Sequence, residues 1–443
     1  MNKKIIIKIL VEFCRIFIGA TFVFSGVVKA IDPVGGAIKI GDYLTSFGLN
    51  HFAWMENVLS FNLAAIEFTL GICLLLAVYR RLTTLGVLLM MSFMTPLTLY
   101  LAIFNPVSDC GCFGDAIILS NWATFFKNVP LLIAAIITFI YHKRMIVIYS
   151  YKANWFVGLF AYFFCMAFCY QNYTHLPIKD FRPYKVGLNI PKLMEIPEDA
   201  PQDESLFIYE KEGEKKQFKL EEAPFDDASW NYVDAKLIKE GFIPVVSSFE
   251  LYNKNGDNIS DAILSRPQLT FLLILPDIKK ASDLHIDKIN NIYDYAVEAE
   301  AKLPFYGVTA SSEDDIEEWK ENTGADYPFL TADDVLLKTM IRSNPGLIMI
   351  KNGTILAKWH HNDIPGEDQL EEVIMKLENT PIDEETATAP EIIAEKNYND
   401  RISWVRIITG FTLPLLLIWI YDFFRNRHIR KKIEKLQTVN KYN

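Results

Sequence analysis

The polar stretch from residue 172 to residue 401 contains no cysteine, and neither does anything else after Cys169. Structural disulfides and dithiol exchange by that stretch itself are therefore excluded. Basic residues are outnumbered, with 44 Lys and Arg against 54 Asp and Glu, a net charge of −10. Affinity for nucleic acid comes largely from neutralising phosphates, so no nucleic-acid partner is expected. No small-residue cleavage site follows the first apolar run, which is too long for a signal peptide. It reads as an uncleaved anchor.

Long apolar runs, by contrast, are plentiful. A bilayer crossing takes about 20 apolar residues, and six stretches qualify, at about 5–29, 58–79, 82–104, 123–141, 154–171 and 402–424. Basic residues collect on the cytoplasmic side of such proteins. Lys3 and Lys4 precede the first run, and Arg80 and Arg81 separate the second from the third. His142, Lys143, Arg144 and Lys152 separate the fourth from the fifth, and Arg425, Arg427, Arg430, Lys431 and Lys432 follow the sixth. With alternating passes all four clusters fall on one side. Both termini are then cytoplasmic, and segments 30–57, 105–122 and 172–401 face outward. The basic tail should lie against anionic lipid.

One outward segment is "SDCGCFGDA", residues 108–116. Only an accessible, ionised thiol attacks a disulfide, and Gly111 allows a tight bend between Cys110 and Cys112. A disulfide across one residue closes a small strained ring, and strained, exposed disulfides are the exchanging ones. Redox exchange is the leading reading. A static disulfide shaping the loop is a second, and a metal site completed by His51 and His175 a third. A closed zinc site wants four ligands, so no metal is assigned. Cys14 and Cys73 read as small apolar packing residues. Cys165 and Cys169 lie one turn apart on a helix face. Packing explains them, and they are also the candidate secondary thiols. Glu12, Arg15 and Glu67 lie inside apolar runs, where charges are costly and paired or functional. By helical rise, Arg15 sits about 15 Å and Glu67 about 18 Å from their cytoplasmic ends. A buried Arg15–Glu67 pair is expected, with Glu12 as a second partner.

"RIFIGATFVFSGVVKAIDP" resembles the first helix of the DoxX family of bacterial membrane proteins, through Arg15, Gly19, Phe22, Ser25, Gly26, Lys29 and Asp32. Glu67 and Gly71 resemble that family's second helix. "DCGCFGD" is similar to the cysteine motif of the related methylamine-utilisation MauE proteins. The likeness runs over roughly residues 5 to 145 and implies a four-helix bundle. It also implies a redox setting: MauE-type proteins are associated with maturing a disulfide-rich dehydrogenase subunit beside a thioredoxin-like partner, and DoxX-type proteins with quinol oxidation and thiol redox complexes. A quinone is the candidate cofactor on that ground.

In the outward region, "LFIYEKEGEKKQFKL" around Gly213 reads as a hairpin. "FELYNKNGDNIS" reads as a second one, turning at Asn255–Gly256. "LTFLLILPD" at 269–277 is a buried strand, 285–301 a helix and "FYGVTA" at 305–310 a strand. "SSEDDIEEWKENTG" is a helix with a serine cap and a glycine stop. "PGLIMIKNGTILAKWH" is two strands about an Asn352–Gly353 turn, and a helix follows at 366–377. That order resembles thioredoxin, with Pro345 as the cis-proline before the hairpin. The thioredoxin Cys-x-x-Cys position falls in "PDIKKASDLH", residues 276–285, which has no cysteine. The resemblance therefore implies binding rather than exchange. Consecutive strand residues face opposite sides, so His360 and His361 are not expected to share a metal.

The expected protein is a polytopic α-helical membrane protein with an extracytoplasmic α/β thioredoxin-like domain. Residues 1–145 form the DoxX/MauE-like bundle, 146–171 a fifth transmembrane helix, 172–260 a lead-in and 261–378 the thioredoxin-like domain. Residues 379–401 form a linker, and 402–443 the sixth transmembrane helix and basic tail. The expected function is periplasmic-facing thiol–disulfide exchange at Cys110 and Cys112 in the bacterial inner membrane. Client thiols or disulfides, the bilayer and a respiratory or redox membrane protein are its expected partners. A non-enzymatic assembly factor and an accessory subunit of a quinol oxidase are the alternatives.

Overall fold

A computed structural model describes residues 3–107, 109–201, 204–211, 213–219, 222–225, 227, 229–239, 241–298, 302–378 and 404–442. Two compact units emerge. The helical unit comprises 1–182, 359–363 and 396–443, and the α/β unit 183–358 and 364–395.

The helical unit opens with α1 (Lys3–Ile31) and α2 (Pro33–Ser46). Asp32 separates them and caps α2, its carboxylate accepting from Gly35 N at 2.8 Å while Pro33 supplies a preset first φ. The segment expected as an outward loop at 30–57 is thus largely helical. Then come α3 (Glu56–Leu75), α4 (Arg80–Phe104), α5 (Asn121–Ile140) and α6 (Asn154–Thr174). Helices α1 and α3 touch backbone to backbone. A Cβ at Gly26 would sit 2.6 Å from Phe68 N, and one at Gly71 2.7 Å from Val23 N. Glycine is required at both positions for this approach.

In the α/β unit a three-stranded antiparallel sheet runs β2 (Glu214–Lys219), β1 (Glu204–Lys211), β3 (Asn231–Lys239). Lys211 faces Glu214 across the Gly213 turn. The short helices α7 (Ile190–Met194) and α8 (Ser260–Leu264) flank this region. The main sheet is built from β4 (Thr270–Leu275), β5 (Phe305–Thr309), β6 (Phe329–Thr331), β7 (Gly346–Lys351) and β8 (Thr354–His360). Its order is β6-β5-β4-β7-β8, with β4 parallel to β5 and antiparallel to β7. Helices α9 (Ile286–Glu298), α10 (Glu313–Thr323), α11 (Asp334–Met340) and α12 (Glu367–Glu378) connect and follow the strands. This is the thioredoxin-like order, extended by β6 at one edge. Every residue of β4 is buried, as its unbroken apolar run requires of a strand covered on both faces. The Asn344–Pro345 bond is cis. "FELYNKNGDNIS" pairs with itself through the bridge of Tyr252 to Asn258, with Tyr252 also bridging Thr331, rather than as a hairpin of strands. The Asn253 side chain takes the turn's backbone N–H groups from Asn255 and Asp257, competing with ladder formation. Strands β3 and β6 and helix α11 had no expectation. The linker at 379–401 lies outside the described residues.

The last helix, α13 (Trp404–Tyr442), returns to the helical unit. Tyr149 donates to Leu415 O at 3.0 Å, and Asp422 accepts from Ser150 N and Oγ. Among the described residues, five helical segments are long and apolar enough to cross a membrane, namely Asn50–Leu75, Arg80–Phe104, Asn121–Ile140, Asn154–Thr174 and Trp404–Arg430. The α1 helix, expected as a sixth crossing, is not among them and carries Lys8, Glu12, Arg15 and Lys29 along its length. Contacts gather the basic clusters at one end of this unit. Arg80 donates to Lys143 O at 3.0 Å, Ile146 N donates to Glu12, and Arg425 donates to Ser150 Oγ.

Candidate functional site

The Cys-Gly-Cys segment lies at the opposite end, where α1 and α2 meet the connection between α4 and α5. Asp109 starts the turn by accepting from Gly111 N at 2.8 Å and pairing with Lys39 at 2.7 Å. Gly111 adopts φ +63°, a left-handed conformation that glycine takes without penalty. Tyr43 on α2 donates to Cys110 O at 2.9 Å. The Cys112 carbonyl is held from below by Ser25 Oγ at 2.7 Å and Lys29 Nζ at 3.0 Å. Asp109, Tyr43, Ser25 and Lys29 thus each engage a backbone atom of the loop, and Lys39 holds Asp109 in place.

Beneath the loop is a buried ion pair. Lys29 Nζ lies 2.8 and 2.7 Å from the two Glu67 oxygens, and the Ser25 hydroxyl, 2.7 Å from Glu67 as well, shares its one proton between that carboxylate and the Cys112 carbonyl. Arg15 instead pairs with Glu12 at 2.6 Å and donates to Ile146 O. The expected Arg15–Glu67 pair is thus replaced by two separate pairs. The physical reason is helix register. Packing Gly26 on Phe68 puts Glu67 beside Ser25 and Lys29, while Arg15 lies about 15 Å further along α1 at the helical rise. The α3 end at Leu75 packs against Gly19, so α1 begins well before it and equal depths from the two cytoplasmic ends do not coincide.

The two thiols of the segment are hydrogen-bonded to each other. Cys110 is buried and Cys112 only partly so. Their ionisation is split in opposite directions. The bond to Cys112, reinforced by burial, pushes the Cys110 thiol up. The hydrogen bond from Cys110 brings Cys112 down to about 7, against the opposing effect of burial and with help from Lys127 and then Lys29. Lys127 on α5 also sits 3.9 Å over the Phe113 ring. The Cys112 thiol is thus held below its ordinary value and the Cys110 thiol above it.

A cavity of about 40 Å³ adjoins Cys112, lined among others by Ser25, Glu67, Met94 and Lys127. That is room for about one water, whereas organic ligands occupy pockets of about 300–1,000 Å³. A quinone ring does not fit in the cavity beside Cys112 in this arrangement.

The other expected residues fall elsewhere. Cys165 and Cys169 are fully buried in α6, hydrogen-bonded to each other, within an apolar cluster that includes Ala64, Ala65 and Cys73. Cys14 packs in a second cluster with Ile18 and Leu131. His175 pairs with Asp363 at 2.7 Å. The His360 and His361 rings lie 4.1 Å apart, contrary to strand alternation. The reason is that β8 ends at His360 and a tight helical turn begins at His361. Among the described residues, no three His, Cys, Asp or Glu side chains gather as a metal site. The sequence reading missed the roles of Ser25, Lys29, Lys39, Tyr43, Asp109 and Lys127. The available signal was a lysine inside each of two apolar helices.

Residues 7–141 match the family model described as methylamine utilisation protein MauE. Residues 204–240 match one described as a domain of unknown function. No curated protein matches the chain. Among solved structures, the chain is similar to a candidate protein disulfide isomerase from Bacteroides thetaiotaomicron, solved in solution. The identity is 12%, the TM-score 0.24, and the match spans 29% of this chain and 82% of the other. At that score the likeness carries no argument, and the thioredoxin-like order rests on the sheet described above. The molecule is a multi-pass membrane protein with a MauE-like N-terminal region and a separate α/β domain.

Proposed function

We propose that this chain is a membrane-bound thiol–disulfide exchange protein whose reactive pair is Cys110 and Cys112, facing the periplasm of the bacterial inner membrane. The observation that carries the reading is two adjacent thiols in a turn fixed by its backbone, Cys110 buried and Cys112 partly exposed, with Lys29 on the Cys112 carbonyl and Lys127 lining the same cavity as Cys112. The Cys112 thiolate attacks one sulfur of a client disulfide, forming a mixed disulfide and releasing a client thiolate. Cys110, giving up its proton to solvent or to that thiolate, then attacks Cys112. The Cys110–Cys112 bond forms, the client leaves as a dithiol, and two electrons have passed to it. The reverse sequence oxidises a client dithiol. The α/β domain, without cysteine, binds clients.

Gathering of the basic residues at the far end supports the periplasmic assignment through the charge bias of membrane proteins. Cys165 and Cys169 are the candidate secondary thiols, Cys169 being the one that would exchange with the Cys-Gly-Cys loop. A reading as an assembly factor draws on the Cys-free α/β unit, where Lys279 and Lys280 stand at the thioredoxin active-site position.

The test is a redox titration of the pair in intact membranes, by acid quench, alkylation and mass spectrometry. A reversible two-electron transition between about −120 and −270 mV, where exchanging dithiols fall, supports catalysis. A pair still oxidised below about −300 mV is a structural staple, and the assembly-factor reading then replaces this one.

A further inference from the structure

At the basic end of the helical unit, segment 147–150 and the lower part of α13 enclose a cavity of about 450 Å³. Its walls are of two kinds. Val147, Ile148, Trp419 and Phe423 are apolar, while Asn426, Arg427 and Arg430 are polar or cationic. Asp422, also in the wall, is already engaged. It accepts from Ser150 and lies 2.6 Å from Arg425. Its charge is therefore compensated from within. Neither Arg427 nor Arg430 has an acidic partner among the described residues, and both are exposed. Val147 and Ile148 are exposed as well, at 48% and 40%. Exposed aliphatic groups beside exposed guanidiniums match the boundary between acyl chains and headgroups.

We infer that this cavity binds the phosphodiester headgroup of an anionic glycerophospholipid, with Arg427 and Arg430 on the phosphate and the first acyl carbons against Ile148, Trp419 and Phe423. Guanidinium suits this partner because its planar fork matches phosphate oxygens. The volume falls within the range of small-molecule sites. Bound lipid would fasten α13 to the 147–150 segment that Ser150 and Asp422 already join. The site is independent of the thiol chemistry at the other end.

The full chain, purified in mild detergent from bilayers containing phosphatidylglycerol and phosphatidylethanolamine, tests this by native mass spectrometry. Retained phosphatidylglycerol is the expected result. R427Q/R430Q should bind it about thirty-fold more weakly, two arginine–headgroup contacts being lost. Arg81→Gln, another exposed cation at the same end, should change nothing. Thermal midpoints without lipid, unchanged between wild type and double variant, confirm folding. Should the double variant unfold, a rise in the wild-type midpoint on adding phosphatidylglycerol but not phosphatidylethanolamine supports the site. Equal retention of both lipids, or equal binding by the double variant, overturns it. So does a midpoint rise with millimolar inorganic phosphate equal to that with phosphatidylglycerol, since the site would then take free phosphate.

Discussion

Lysines stand beside the corresponding loops of the two units and do different things there. In the α/β unit, Lys279 and Lys280 follow β4, where a thioredoxin would carry its cysteines. They pair with Asp315 and Asp277 at 2.9 Å, and their side chains are 68% and 82% exposed. Pairs of that kind contribute about 0–1 kcal/mol. In the helical unit, Lys29 is buried between Glu67 and the Cys112 carbonyl, and Lys127 lies near the thiols. The same ammonium group decorates one loop and sets the position and acidity of the other. Burial and a sulfur within reach make the difference, and all six cysteines lie in the helical unit.

The largest effect expected from breaking this contrast is on stability. Lys29→Met leaves Glu67 buried and unpaired, a loss of about 3–5 kcal/mol. The double variant with Glu67→Met should recover most of it, because an apolar replacement of a whole buried pair is often neutral. A thiol-reactive dye followed during heating reports on the helical unit alone, since only that unit has cysteines. A smaller loss, about 1–3 kcal/mol by overpacking, is expected for Gly26→Ala, whose Cβ would press on Phe68 backbone. The same dye reads it, and an unchanged midpoint would mean that α1 and α3 do not need their close approach.

Next comes ionisation. The rate of iodoacetamide modification of reduced Cys112 should rise with a midpoint near pH 7, and Lys127→Met should move that midpoint upward. A wild-type midpoint near the ordinary thiol value of about 8.5 would equate this loop with an unactivated one. The smallest effect involves His360. Burial, then His361 and His175, push its imidazole down to about 3. Its folded value lies below its unfolded one, so the folded state binds fewer protons. Stability is lost as pH falls below about 6.5. His360→Gln should flatten the decline in melting temperature between pH 6.5 and 4, and an unaltered decline would place the acid sensitivity elsewhere.

Much of this architecture was legible. The apolar runs marked α3 to α6 and the start of α13, because each is a continuous hydrophobic length. The β4-α9-β5 and β7-β8 order followed from apolar strands and an Asn352–Gly353 turn. Gly26 and Gly71 stood in the DoxX-like pattern, but sequence does not say that they touch Phe68 and Val23. That contact sets the register, and register decides that Glu67 meets Lys29 rather than Arg15. The role of α2 was likewise hidden. Its N-terminal cap at Asp32 is local, yet Lys39 and Tyr43 find Asp109 and Cys110 about 70 residues away. Cys110 and Cys112 were visible from spacing alone. Their inequality was not, because it comes first from the hydrogen bond between them and then from burial and the lysines that tertiary packing brings near.

The central claim, that Cys112 exchanges with client sulfur and Cys110 resolves it, is tested most directly by trapping in intact cells. Cells carrying C110S or C112S are acid-quenched, alkylated and separated without reductant. C110S should accumulate mixed disulfides through Cys112 that disappear on reduction, and C112S should accumulate far fewer. No adduct in C110S, or equal adducts in both variants, would contradict the account.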